Sequence, residues 1–396
     1  MDRIFGKLKN IQAMVLVFTS VFLLSFHYFF VYFINSTYLS TYFGEQSLGY
    51  FFTAGAILNI AVFLYAPRFL KKNGNYKLTI YLTMLELAAL IGLAAIPNAF
   101  VAVALFILHQ AVGPTLFYCM DIFIERYADS KEMGSIRGMY LTIQNIPPIV
   151  TPFISGIILV KPEYWKIYMI GAALLIPFLI VIALNFKQFA DQEYPVLRLK
   201  EAAKKFYADK NVFDVFVDHF LLHLFYGWTV IYMPIYLNQY IGFGWSEIGI
   251  IFSVMLLPFI LFQIPIGRME DKYNDEKNIL VIGFCIMAAS FMLIPFISEK
   301  SIVLWAAILF ISRIGASFVE VSSESFFFKH VCPSNAGFIS FFRMTRALPY
   351  LISPAIVGIT LYFFEFKYIF FVAGLLMFIG VRYALLLDNA EKKDIC

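Results

Sequence analysis

The hydrophobic residues of this chain fall in long unbroken blocks rather than in alternation. A helix needs about 20 predominantly apolar residues to cross a hydrocarbon core at about 1.5 Å per residue. Runs of that length occur at 12–34, 47–66, 78–96, 99–122, 138–160, 167–186, 213–236, 246–266, 279–297, 302–325, 338–362 and 367–387. Backbone in lipid must satisfy its own hydrogen bonds, so the blocks predict an all-α polytopic membrane protein with twelve transmembrane helices. The first run is too long for a signal-peptide core and has no small-residue cleavage site after it. It is expected to be a retained helix.

Charge orients the spans. Of the 30 Lys and Arg, 25 lie at helix ends and loops on the side of the N-terminus; Lys161, Lys166, Lys300 and Lys367 lie opposite, and Arg313 lies within a span. Under the positive-inside bias both termini are expected in the cytoplasm, with the protein in the plasma (inner) membrane. Composition narrows the class further. Hydrophobic residues are 61% and charged residues 14%, against about 45–50% and about 25% in soluble domains. A soluble enzyme, a disordered chain and a nucleic-acid binder are thereby excluded as leading readings. The four cysteines show no paired spacing, so no disulfide framework, zinc site or other cofactor is expected. Asn35-Ser36-Thr37 matches a glycosylation acceptor on the outer side and is read as chance.

The chain also repeats itself with a period of about 200 residues. Pro147, Pro152 and Gly156 of the fifth run recur as Pro349, Pro354 and Gly358 of the eleventh. Proline inside a helix is costly, so matched prolines weigh more than matched leucines. Tyr28, Tyr42 and Gly44 recur as Tyr226, Tyr240 and Gly242, and Asp121 meets Glu324. This divides the chain into two six-helix bundles of the same orientation, 1–186 and 213–396, joined by a cytoplasmic linker, 187–212. Val196 to Tyr207 of that linker is expected to form an interfacial helix with Leu197, Leu199 and Phe206 toward lipid.

Three local motifs carry a resemblance. Gly267-Arg268-Met269-Glu270-Asp271-Lys272 through Lys277 is similar to the Gly-x-Leu-Ala-Asp-Arg-x-Gly-Arg-Lys loop of the major facilitator superfamily, with Asn274 in place of the second Gly. The matching loop from Pro67 to Lys77 keeps Gly74 but has Pro67 and Lys71 where Gly and Asp are expected. Pro234 through Gly249 resembles the family's connection between helices seven and eight. Thr151-Pro152-x-x-Ser155-Gly156 is similar to an antiporter motif of helix five. The resemblance implies the superfamily's fold and a cytoplasmic gate made of Gly267, Arg268, Asp271, Lys272 and Glu324. In that gate Asp271 meets a helix N-terminus or a cation, and Glu324 pairs with Lys272 or Arg268.

Charged groups within apolar spans are functional candidates by default, since each costs about 2.5–3.5 kcal/mol near the bilayer centre. Arg313, Ser317, Glu320 and Glu324 share one helical face, with Arg313 about 18 Å below the outer end. Arg313 either binds an anionic substrate group, answers a protonatable Glu320, or forms a fixed pair between helices. Asp218, His219 and His223 are candidates for proton coupling. In the family's packing, helices one, four, seven and ten line a central cavity, so the resemblance implies that His27 and His109 face it too. Glu86 is expected to pair with a neighbouring helix, and Arg343 to snorkel to the cytoplasmic face.

The leading expectation is therefore a secondary transporter, not an enzyme. It carries a small molecule by alternating access, with protons as the coupling ion and export favoured over import, and it acts as a monomer in the bilayer. No Walker-type phosphate loop appears. The alternatives are a polytopic membrane enzyme acting on lipid or acyl groups and a transporter-like sensor or scaffold.

Overall fold

A computed structural model of the chain describes residues 2–32, 34–43, 48–128, 132–158, 163–191, 194, 204, 206–331 and 336–387. The first set of helices is α1 (Asp2–Tyr32), α2 (Asn35–Phe43), α3 (Leu48–Ala95), α4 (Ala99–Tyr127), α5 (Met133–Asn145), α6 (Pro147–Ile158) and α7 (Tyr164–Asn185). The second set is α8 (Lys210–Ile235), α9 (Trp245–Tyr273), α10 (Glu276–Leu293), α11 (Ile302–His330), α12 (Ala336–Met344), α13 (Pro349–Phe363) and α14 (Tyr368–Leu386).

Ten stretches among the described residues are long and apolar enough to cross a membrane. The departures from twelve have local causes. The second and third predicted spans run together in the 48-residue α3, which turns at Gly74 (φ 72°, ψ 163°). The fifth predicted span is split into α5 and α6 at Ile146, ahead of Pro147-Pro148, whose missing N–H groups interrupt the helical ladder. Pro349 makes the matching interruption between α12 and α13. Helix starts repeat as well. Asn98 accepts hydrogen bonds from the N–H groups of Phe100 and Val101 at the head of α4, and Ser301 accepts one from Leu304 at the head of α11.

The Asn35 motif is a chance match, as its sequence suggests, whereas Phe206 departs from its expected place. Asn35 is fully buried and accepts a hydrogen bond from the Tyr168 hydroxyl at 2.9 Å, so its amide is no accessible glycosylation acceptor. Phe206, expected on the lipid side of a linker helix, is buried instead among Phe216, Phe338 and Phe341, with ring centroids 5.3–5.6 Å away. Leu197 and Leu199 lie outside the described residues.

The two sets meet most closely where α5 crosses α9. A Cβ on Gly267 would lie 2.1 Å from the carbonyl oxygen of Gly134, so only glycine permits this approach. The Gly74 turn is tied down by Asp191. Its carboxylate accepts from the Asn75 N–H at 2.8 Å and from the Tyr194 hydroxyl at 2.9 Å. A Cβ at position 74 would sit 2.3 Å from that carboxylate and would force a left-handed backbone onto an L residue. Gly74→Ala is expected to lose about 1–3 kcal/mol, read as a lower unfolding temperature in detergent. Gly249→Ala, with nothing within 4 Å of the new methyl, should leave it unchanged or raised.

Candidate functional site

Three polar clusters occupy the otherwise apolar interior. The first joins the two helix sets. Arg343 of α12 reaches across to Asp121 of α4, donating Nε to Oδ2 at 2.6 Å and Nη2 to Oδ1 at 2.9 Å. The same guanidinium donates Nη2 to Glu324 Oε2 of α11 at 2.8 Å, and Nη1 bonds the other oxygen of that carboxylate. Arg137 of α5 mirrors it, donating to Asp121 and to Glu125, each at 2.8 Å, with Glu324 3.8 Å away. Arg346 reaches Glu324 at 3.2 Å and His219 Nε2 lies 3.4 Å from it. Three guanidinium groups thus meet three carboxylates. Arg137 stacks on Phe328, 3.3 Å from its centroid, which excludes water from one face of the group.

The arrangement corrects the expected partners of Glu324. Lys272 and Arg268 are exposed at the end of α9 and do not pair with it. Arg343 is buried in the network rather than snorkelling to an interface. Asp271 accepts from the backbone N–H groups of Gly134 at 2.8 Å and Ser135 at 2.6 Å, at the N-terminus of α5. There the helix presents unpaired donors and its positive end. Lys329 lies 3.2 Å from Asp271 and 2.5 Å from Glu276, tying the ends of α9, α10 and α11 to this contact. The equivalent loop of the first half, with Lys71 at the Asp position, lacks a carboxylate to do the same.

The second cluster lies in the second half. Arg313 is 2% exposed, and its Nε and Nη1 have no hydrogen-bond partner; no ion pair to it occurs among the described residues. Its guanidinium instead sits over Phe225 and Tyr226, 4.8 and 5.1 Å from their centroids. Glu320, on the same helix, accepts from Gln263 Nε2 at 2.7 Å; Asn145 Nδ2 donates to Gln263 Oε1 at 3.3 Å, linking α5 to α9. His219 is held by Thr345 at 2.6 Å and stacks on Phe342. His223 Nε2 and the Tyr226 hydroxyl are buried without partners, their rings 5.3 Å apart. Asp218 is buried with both oxygens unbonded. It lies two turns from Phe225, which packs on Phe291 of α10, and so occupies a different face of α8 from His219 and His223.

The third cluster lies in the first half. Glu86 Oε1 of α3 is 3.1 Å from His27 Nε2 of α1 and 2.5 Å from His109 Nδ1 of α4. His27 Nδ1 is 3.0 Å from the Gly171 carbonyl oxygen of α7. All three side chains are fully buried, so His27 and His109 close on Glu86 within their own half rather than facing outward from it. The repeat pairs these positions with those of the second cluster: His27 with Phe225, Tyr28 with Tyr226, and His109 with Arg313. Tyr28 lies against His109, ring centroids 5.7 Å apart, as Tyr226 lies under Arg313.

Sequence reasoning passed over Arg137, Glu125, Gln263 and Asn145. Only Asp121 carried a signal, as the repeat partner of Glu324. Arg137 had been counted among the cations that set orientation.

The sequence profile of the Major Facilitator Superfamily matches residues 215–395. An uncharacterized MFS-type transporter of Methanocaldococcus jannaschii is 27% identical over 195 residues, covering 47% of this chain; the match spans half the length of that relative. Among solved structures, the human organic anion transporter MFSD10 superposes with a TM-score of 0.75 at 12% identity, covering 95% of this chain and 99% of that one. A bacterial homologue of the iron transporter ferroportin, in an outward-facing state, gives 0.73 at 12% identity over 94% and 99%. The proton:xylose symporter XylE gives 0.72 at 12% identity over 96% of each chain. The fold is that of the major facilitator superfamily, and the matched profile includes the Gly267–Lys277 motif.

Removing one partner of a buried ion pair leaves a charge uncompensated and typically costs about 3–5 kcal/mol. Arg343→Met strips Asp121 of two bonds and Glu324 of two and should fall in that range. Arg137→Met leaves Arg343 on Asp121 and should cost less. Unfolding temperatures of the two variants, measured side by side in one detergent, check the order.

Proposed function

We propose that the chain is a secondary transporter that moves a small amphipathic organic anion by alternating access, the two helix sets rocking about a site between them. The observation that carries the reading is Arg313. A buried guanidinium without a directly bonded counterion is costly; besides two aromatic faces, only Glu320 among the described residues, two turns along the same helix, offsets its charge, and it does so without a direct ion pair. An anionic ligand group placed there would satisfy Nε and Nη1, while Phe225 and Tyr226 offer an apolar floor for the rest of it. The likeness to an organic anion transporter bears on the fold alone, so the anion follows from Arg313 and not from that name.

The network around Arg343 and the Asp271 cap form the gate at the cytoplasmic end of this reading. Substrate leaves or enters on that side only when Arg343 parts from Asp121 and Asp271 from the head of α5. Coupling to protons completes the proposal. Export is favoured by the likeness of Thr151-Pro152-x-x-Ser155-Gly156 to an antiporter motif.

Benzoate is the simplest probe of the anion claim. It should raise the unfolding temperature of the purified chain, with a stabilisation of about 2.7 kcal/mol at a hundredfold excess over its dissociation constant, and benzylamine should not. Arg313→Met should abolish that shift while leaving the unliganded protein as stable or more stable. A structural arginine would instead cost stability when removed, and a protein stabilised equally by both compounds would not be an anion carrier.

A further inference from the structure

The cluster in the first half has one proton too few if its members are in their ordinary states. Three contacts must be filled: His27 Nδ1 to the Gly171 carbonyl at 3.0 Å, His27 Nε2 to Glu86 Oε1 at 3.1 Å, and His109 Nδ1 to the same oxygen at 2.5 Å. A carbonyl oxygen only accepts, so the first contact needs the hydrogen of Nδ1. The other two join a ring nitrogen to a carboxylate oxygen, and each needs a hydrogen as well. Two neutral imidazoles supply one each, and an ionised carboxylate supplies none. Whatever tautomers are chosen, the third contact requires an additional proton. It resides on His27 with Glu86 ionised, or on Glu86 with His27 neutral.

The surroundings offer no substitute. Around the triad, α1 contributes Tyr28 beside His27, α3 contributes Glu86, α4 contributes His109, and α7 contributes the backbone carbonyl of Gly171. No Lys or Arg pairs with Glu86 among the described residues; its ion-pair partners are the two histidines. Glu86 Oε2 and His109 Nε2 are buried without partners, so the cluster keeps one vacant acceptor and one open ring nitrogen on the side away from its bonds. A structural ion pair closed with arginine would have neither. At the repeat-equivalent place the second half packs Phe225 on Phe291, with centroids 4.2 Å apart and Arg313 over Phe225, and has no carboxylate bridging two histidines among the described residues. Helix packing at this position therefore does not require a titratable triad.

We infer that His27, Glu86 and His109 form a proton-binding site of the N-terminal half, and that it holds the proton whose uptake and release drive the rocking of the two halves. The site itself stands on the hydrogen-bond count; its use in coupling rests on the transport reading above. The link to the boundary between the halves is a short aromatic chain. Tyr28 packs on His109 and on Tyr32, each 5.7 Å between centroids, and the Tyr32 hydroxyl meets the Tyr350 hydroxyl of α13 at 3.1 Å. Losing the extra proton sets a bare His27 lone pair against a carboxylate oxygen. Glu86, still bonded to His109, is then pushed away from His27; His109 moves with it, Tyr28 loses its seat, and the Tyr32–Tyr350 contact between the halves is released.

The test uses the full chain in lipid nanodiscs with ring-nitrogen-labelled histidine, read by NMR while pH is raised. His27 is assigned through His27→Gln. The wild type should show one proton more on the His27–Glu86–His109 set than two neutral rings carry, seen as His27 with both nitrogens protonated or as a protonated Glu86 carboxyl in infrared difference spectra. That proton should leave reversibly as pH rises, with His109 shifting in step. Glu86→Gln brings its own amide hydrogens, fills the contacts and keeps the fold, so the titration should vanish while the unfolding temperature stays near that of the wild type. Two neutral rings beside an ionised Glu86 at every pH would overturn the inference. So would an extra proton that persists until the protein unfolds, because that is a fixed pair. In proteoliposomes, a pH gradient should drive benzoate accumulation by the wild type, while Glu86→Gln should exchange benzoate without accumulating it. A wild type that does not move benzoate at all counts against the anion reading; the proton site is decided by the titration alone.

Discussion

The contact between the two helix sets turns on one guanidinium. Arg343 takes Asp121 from one half and Glu324 from the other with four hydrogen bonds, in a setting with almost no water. In such a medium charges attract strongly when paired and are costly when parted. The interaction therefore has two stable conditions and little between them: fully formed, or fully opened to water. A gate that must be shut or open, and not ajar, is well served by that property. The Asp271 cap on α5 adds a weaker contact of the same kind, worth a fraction of a charge at a helix end.

The pseudo-repeat explains how such a network arises and why it is uneven. Asp121 and Glu324 are repeat partners, and Arg137 and Arg343 play matching parts on the helices that follow. The halves then diverge. The loop motif keeps its carboxylate only at Asp271, so the helix-end clamp exists on one side of the pair. The mid-membrane positions diverge further. Arg313 and His109 are equivalents, yet one is a lone cation over aromatic rings and the other belongs to a closed cluster with Glu86 and His27. Two chemically different sites sit at equivalent places, one suited to an anion and one to a proton. A transporter that couples the two needs them connected, and Tyr28 and Tyr32 carry the first site as far as Tyr350 of the other half.

Much of the fold was legible because the bilayer leaves few choices. Long apolar blocks must be helices, and matched prolines revealed the repeat before any contact was known. The misreadings have a common cause. Arg137 and Arg343 stand near helix ends, where a cation in sequence looks the same whether it reaches for the interface or turns inward. Only the crossing of α5 and α12 with α4 and α11 shows that these two turn inward. Phe206 was misplaced for the same reason: an aromatic in a polar linker has no face until its neighbours are known. Glu86 was rightly expected to seek a partner in another helix. That it would find two histidines, from α1 and α4, depends on side-chain reach across three helices and is not written in any local pattern.

The most direct test of the account is a distance across the Arg343 network. Spin labels at Arg126→Cys on α4 and Asn278→Cys on α10 report it by pulsed electron resonance, with the native cysteines replaced by serine. In lipid the wild-type network should give a single short distance, and adding Arg343→Met should shift most of the population to longer ones. An unchanged distance distribution in the Arg343→Met protein would show that the halves are held together by something other than this guanidinium.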